Sequence, residues 1–301
     1  AMAITPWIDK VEKESAGRIK IQHFPLMQAG GTPPQLIDQA RDGVVDIIWT
    51  ALGYTPGRFP RSEVFELPFM ANKDAEKSSV AFHEFVTTHA KEEFKDVKLL
   101  AVHVNGPGVL HTKTPVNTLE DLKGMRVRGA SRIVNMTLEQ MGAIPVGMPA
   151  PAVSEALSKG VISGTSLQWE VVPALRIQQM VKNHTITHGE RGLYTGTFAF
   201  VMNRNTYDKL PPDLKKVIDN NSGIATAAMF GKAMDDGDKA GREIAVKAGN
   251  KITELELAEV QRWKRTASTV ETDWVNEVKA KGIDGAKLAS EARALIAKYN
   301  K

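Results

Sequence analysis

Residues 119–164 read LEDLKGMRVRGASRIVNMTLEQMGAIPVGMPAPAVSEALSKGVISG and carry the side chains best placed for chemistry. In LKGMRVRG, Gly124 supplies a turn, and Met125 and Val127 alternate with Arg126 and Arg128 in the two-residue period of a strand. One of the two arginines must point inward. A guanidinium held on a rigid strand presents a planar fork of donors matched to a carboxylate, and away from bulk water such a pair is stronger and more selective than a surface ion pair. On spacing alone, a solvated basic strand edge is the alternative.

Two other segments offer polar groups. TALGYTPGRFP follows the apolar segment 47–49, and open α/β sheets bind ligands at strand ends. There Tyr54 and Thr55 each present a hydroxyl, although a packed loop tyrosine with a wet hydroxyl is an equal reading of Tyr54. Gly30, Gly31 and Thr32 begin a helix whose first amides favour an anion without any side chain.

No pattern looks catalytic. His184 and His188 are four apart in a segment that reads as a strand, which separates them by about 13 Å, too far for one metal ion. Ser163 and Ser222 lack the nucleophile elbow, and the glycine pairs lack a phosphate-loop lysine. Asp235, Asp236 and Asp238 lack the spaced glutamate of a calcium loop. The expectation is a binding protein with no cofactor and no metal.

Composition sets the frame for these groups. A chain of 301 residues, 42% hydrophobic and 25% charged, can bury a large core and suggests two domains. No apolar run approaches the roughly 18–20 residues that cross a bilayer. The chain has no cysteine, which excludes disulfides and thiolate chemistry and permits folding in an oxidising compartment. Its net charge of +4 is dispersed through mixed-sign segments such as EEFKDVK, so nucleic acid is not an expected partner.

Strand and helix alternate along the chain, as in an α/β protein. The opening segment reads as a helix with Ile8 and Val11 inward and Gly17 near its end. Strands are expected over 19–24, 44–50, 98–104, 109–112 and 125–128, and near Thr165 and His184; helices over 34–42, 75–95, 133–141 and 153–159. Residues 192–203 read as a long β-rich run that returns to the first half. Residues 224–248 contain no proline and, at 1.5 Å per residue, reach about 35 Å. In the helical stretches 254–282 and 286–299, Trp263, Val270, Trp274 and Val278 share one face and read as core.

The block at 119–164 resembles the signature of the solute-binding proteins of tripartite ATP-independent periplasmic (TRAP) transporters, in which a DLKG strand is followed by a glycine-proline turn and an EAL–KG helix. Co-linear matches occur in KVEKESAGRIKIQHFPLMQAGG, LIDQARDGVVDIIWTALGYTPGRFPRSEVFELPFM and FVMNRNTYDKLPPDLKKVIDNNSG. The resemblance implies a two-lobed α/β binding protein with open sheets flanked by helices, a ligand cleft between the lobes and a long helix spanning the hinge. Residues 1–105 with about 198–236 would form one lobe, and 106–197 with about 237–301 the other. It also implies a strand before the first helix; the sequence opens on the helix itself, and a secretory leader, if one is encoded, lies outside it.

By the same resemblance Arg128 forms a two-pronged salt bridge to the solute carboxylate, and Arg126 is assigned to the opposite, solvated face. Ser163 replaces the aspartate of the GVVDG turn, a structural change that leaves the cleft intact. Leu167 stands where some sialic-acid-type members carry asparagine, and Trp169 follows as either site wall or core. His111 and Thr112 lie where such members carry a second arginine, and a half-buried structural histidine is the other reading. An apolar residue and an indole beside a carboxylate clamp favour an aromatic or hydrophobic monocarboxylate over a sugar acid, whose hydroxyls would go unpaired. The implied role is periplasmic capture of a small organic acid by a monomer that delivers it to a small and a large membrane subunit driven by an ion gradient. A sensing module for a periplasmic receptor is the alternative, and an enzyme on the same scaffold a third.

Overall fold

A computed structural model describes residues 2–300. In chain order its strands are β1 (Ile47–Ala51), β2 (Val97–Val104), β3 (Val109–Thr112), β4 (Arg126–Gly129), β5 (Ile144–Gly147), β6 (Gly164–Leu167), β7 (Asn183–Ile186), β8 (Thr197–Asn203) and β9 (Lys251–Glu254). They form two sheets. The first is antiparallel in the order β1-β8-β2, and the second is mixed in the order β5-β4-β6-β3-β7-β9. The returning strand β8 pairs with both β1 and β2 and so completes the first lobe.

Some expected elements differ, each for a local reason. Residues 19–24 form no strand: the Ile19 amide donates to Ser15 Oγ and the Ile21 amide to Glu12 Oε1, so side chains of the preceding helix take up donors that a ladder would need. The helix expected over 75–95 is α-helical only over Ala75–Phe85, then passes through a π turn at Val86–Ala90 and a 3-10 turn at Lys91–Phe94. Strand β9, KITE, lies at the edge of the second sheet before the Leu257–Lys279 helix and has no buried residue, so it leaves no apolar pattern to read.

Each sheet has its own core. In the first lobe Ile48, Val102, Ala199 and Val201 pack with Phe65, Phe82 and Phe85, and in the second Leu110, Val127, Val134 and Leu138 pack with Trp263. The Leu257–Lys279 helix serves both, because Val260, Trp263 and Ala267 enter the second lobe's core while Val270, Trp274 and Val278 enter the first. Leu288, Ala292 and Ile296 of the Gly285–Tyr299 helix also pack into the first lobe, where the sequence reading placed residues 237–301 with the second. The apolar stripe alone does not say which lobe receives it.

The Ile224–Lys247 helix crosses between the lobes as well. Gly231 lies against the Ala75 carbonyl of the first lobe and Gly241 against the Trp169 carbonyl of the second; a Cβ at either position would come within 2.4 or 2.0 Å of that oxygen. Two chain crossings complete the hinge. Asn105 N–H donates to the Gly196 carbonyl at 3.2 Å, Gly196 N–H to Asn105 Oδ1 at 2.8 Å, and Gly108 N–H to the Tyr194 carbonyl at 2.8 Å.

Candidate functional site

A cavity of 1060 Å³ opens between the lobes, and its inner end is lined by Glu66, Asn105, Arg128, Ser131, Gln168 and Tyr194. Its lining continues past β1 to Trp7, Ile21, Phe200 and Leu214, with the polar side chains of Arg18, Lys20, Gln22, His23 and Asp46 among them. The buried polar groups of the lining include Glu66, Asn105, Arg128, Ser131 and Gln168, whereas Arg18, Lys20, Gln22 and His23 are more exposed.

Arg128 is 1% exposed. Its Nε donates to the Met148 carbonyl at 2.8 Å and Nη1 to the Ser166 carbonyl at 3.0 Å, so two backbone oxygens fix the plane of the guanidinium. Among the described residues Nη2 has no partner, and Arg128 makes no ion pair. A buried cation without a counter-ion is costly, and a bound carboxylate removes that cost. Around it Ser166 Oγ, Gln168 Nε2 and the Tyr194 hydroxyl are enclosed without a closed hydrogen bond. Burial pushes the Tyr194 hydroxyl up to about 12, against the nearby Arg128 charge, so it remains a neutral donor.

Arg126 is exposed, but not for the expected reason. Residues two apart on a strand share a face, so Arg126 and Arg128 point the same way and differ in their place along β4. Arg128 lies level with Thr165 of the central strand β6, while the Arg126 carbonyl receives the Ser163 amide at the sheet's rim. Ser163 acts here through its backbone, which also accepts from the Lys113 amide.

The other sequence candidates divide. Leu167 lines the cavity, and so does Tyr54, whose hydroxyl accepts from the Ala150 amide at 3.0 Å and thereby ties a first-lobe loop to the second lobe. Thr55, Thr32, His111 and Trp169 do not line it. The Thr55 hydroxyl donates to the Leu52 carbonyl, and the Thr32 amide and hydroxyl both donate to Gln35 Oε1 in a capping box. His111 stands behind the wall with Nε2 on the Leu167 carbonyl at 3.2 Å and Nδ1 on His184 Nδ1 at 2.6 Å, while Trp169 packs against both rings. Burial, followed by His184, pushes His111 well below the usual histidine range, so the pair is neutral. His184 Nε2 in turn meets Asn250 Oδ1 at 2.8 Å, so both rings are held within a buried polar chain. Neither ring is available to an anion.

Glu66, Gln168 and Tyr194 escaped the sequence reading. Glu66 left a weak mark as the lone charged side chain of the apolar run VFELPFM, whereas Gln168 in TSLQWEV and Tyr194 in GLYTG stand among other polar residues.

Beside the hinge, Asp238 Oδ1 accepts from the Glu170 amide at 2.8 Å, and its carboxyl packs onto Gly106 so tightly that a Cβ there would lie 1.8 Å from Oδ2. Burial, then the neighbouring Glu170, pushes Asp238 well above the usual carboxylate range, and burial pushes Glu170 up to about 7. The folded state thus holds protons that the unfolded chain loses near pH 4, and stability falls as pH rises between those values. Asp238→Asn is therefore expected to raise the melting temperature at pH 8 by several degrees more than at pH 5, as scanning calorimetry at both values would read. An equal shift at both would show that Asp238 is ionised throughout.

Residues 2–277 match the family model described as bacterial extracellular solute-binding protein, family 7. A TRAP solute-binding protein from Rhodoferax ferrireducens T118, solved with copurified benzoate, is 51% identical over 99% of this chain and 92% of that one, with a TM-score of 0.96. A marine metagenome TRAP solute-binding protein from an unidentified microbe, specific for aromatic acid ligands and solved with 3-hydroxybenzoate, is 47% identical over 99% and 93%, with a TM-score of 0.97. The C4-dicarboxylate-binding periplasmic protein of Rhodobacter capsulatus is 24% identical over 93% of this chain and 83% of its own length. With a buried, unpaired arginine facing a cleft between two lobes, and with these relatives, the chain belongs to family 7 of the bacterial extracellular solute-binding proteins.

Proposed function

We propose that this protein captures an aromatic monocarboxylate and delivers it to the small and large membrane subunits of a TRAP transporter. The observation that carries the reading is Arg128: a buried guanidinium without a counter-ion, facing a cavity whose nearby walls include Leu167, Val134, Trp49 and Phe198. An aryl ring fills apolar walls that would leave the hydroxyls of a sugar acid unpaired. The benzoate and 3-hydroxybenzoate bound by the two structural relatives support the same class.

Thermal-shift or calorimetric screening of benzoate, arylacetates, arylglyoxylates, branched 2-oxo acids and hexuronates tests it. A cognate acid at 100 times its Kd is expected to add roughly 2.7 kcal/mol of stability. Nanomolar binding of a hexuronate with aryl acids inert would overturn the reading.

A further inference from the structure

The first lobe carries a second polar group at the inner end of the cavity. Glu66 is 2% exposed, on the 3-10 turn Ser62–Glu66. Its Oε1 accepts from the Thr197 amide at 3.1 Å and from the Thr197 hydroxyl at 2.6 Å. Its Oε2 is enclosed and has no hydrogen-bond partner. Thr50, which also lines the cavity, has its hydroxyl oxygen enclosed and unpartnered. Ser131 of the second lobe lies beside the Glu66 carboxyl and, like Thr197, offers it a hydroxyl; its oxygen accepts from the Val134 amide.

These groups have a shared requirement. An enclosed carboxyl oxygen without a partner carries a desolvation cost that an aromatic C–H does not relieve. A hydroxyl does, because it donates to Oε2 while its own oxygen accepts from a neighbouring hydroxyl. Burial pushes the Glu66 carboxyl up, while Ser131 and Thr197 hold it down.

We propose that Glu66 reads a hydroxyl on the ring of the ligand, so that the protein takes a hydroxyaryl carboxylate with its carboxylate on Arg128 and its hydroxyl on Glu66. The inference rests on the reading that Arg128 holds an aromatic carboxylate. It makes Glu66 the specificity-determining residue of the first lobe, with Thr50 and Ser131 completing the hydroxyl's surroundings. Fluorine tests this because it nearly matches a hydroxyl in size but cannot donate.

The experiment is titration calorimetry of the full chain with benzoate, the three hydroxybenzoate isomers and the matching fluorobenzoates. The tightest hydroxybenzoate is expected to bind at least tenfold more tightly than both benzoate and its fluoro counterpart. In Glu66→Gln, which keeps an acceptor for Thr197, that advantage is expected to shrink at least fivefold. If this variant does not fold, the hydroxyl-to-fluoro ratio of the unaltered protein decides. Benzoate, fluorobenzoate and hydroxybenzoate of equal affinity would overturn the role of Glu66 and leave the aromatic-acid reading standing, as would a full hydroxyl advantage in Glu66→Gln. Failure of every aryl acid to bind would overturn both.

Discussion

Arg128→Ala is expected to weaken binding of the cognate acid by at least about 2 kcal/mol, roughly thirtyfold in Kd, because it deletes the charge partner of a desolvated carboxylate. Isothermal titration with the ligand of the unaltered protein reads this directly. An affinity within threefold of the original would sink the assignment. Arg128→Lys should also bind poorly. An ammonium is a point charge and cannot hold the Met148 and Ser166 carbonyls while presenting two parallel donors to a carboxylate. The same bonds separate two effects. In ligand-free Arg128→Ala both carbonyls lose a buried donor, at about 1–3 kcal/mol each, while the cost of an unpaired buried charge is removed, so the melting temperature is expected to change far less than the affinity. Circular dichroism at the titration temperature establishes that the fold is intact.

The strand that presents Arg128 was legible because one short segment encodes it: a glycine turn, an alternating pattern and a charged residue where the sheet is central. Arg126 shows the limit of that reading. Periodicity assigns a face, but exposure also depends on how far along the strand the neighbouring strands extend, and β4 meets β6 only at Val127 and Arg128. The opposite pole was not legible. Glu66 lies in a 3-10 turn, and its partner Thr197 is 131 residues away on a strand that returns from the second lobe. No local pattern reports that convergence. His111 and Trp169 were misplaced relative to the cavity for a related reason. A strand position says which face a side chain takes, and only the packing of His184 and Trp169 shows that this face is filled behind Leu167. Thr32 and Thr55 had polar groups to offer, but each satisfies its own turn.

Closure should depend on ligand. Here the lobes are shut: Tyr54 accepts from Ala150, Gly53 sits where a Cβ would lie 2.4 Å from the Ser131 Cβ, and Arg132 pairs with Glu63 at 2.6 Å. Such contacts are partly exposed and individually modest. A ligand favours this state only by touching both lobes, since contact with one lobe alone gives no differential affinity for closure. The radius of gyration from solution scattering is expected to fall on addition of the cognate acid, and the fall to vanish in Arg128→Ala. Tyr54→Phe, which leaves the Ala150 amide unpaired, should raise the dissociation rate several-fold. The Ile224–Lys247 helix must accommodate the motion. It is held to the first lobe at Gly231 and to the second at Gly241, ten residues or about 15 Å apart, with no proline between. A bend or pivot within that span is therefore required, because neither close glycine contact tolerates sliding. Superimposable scattering with and without ligand, alongside tight calorimetric binding, would place the site within a single lobe and reject the clamp.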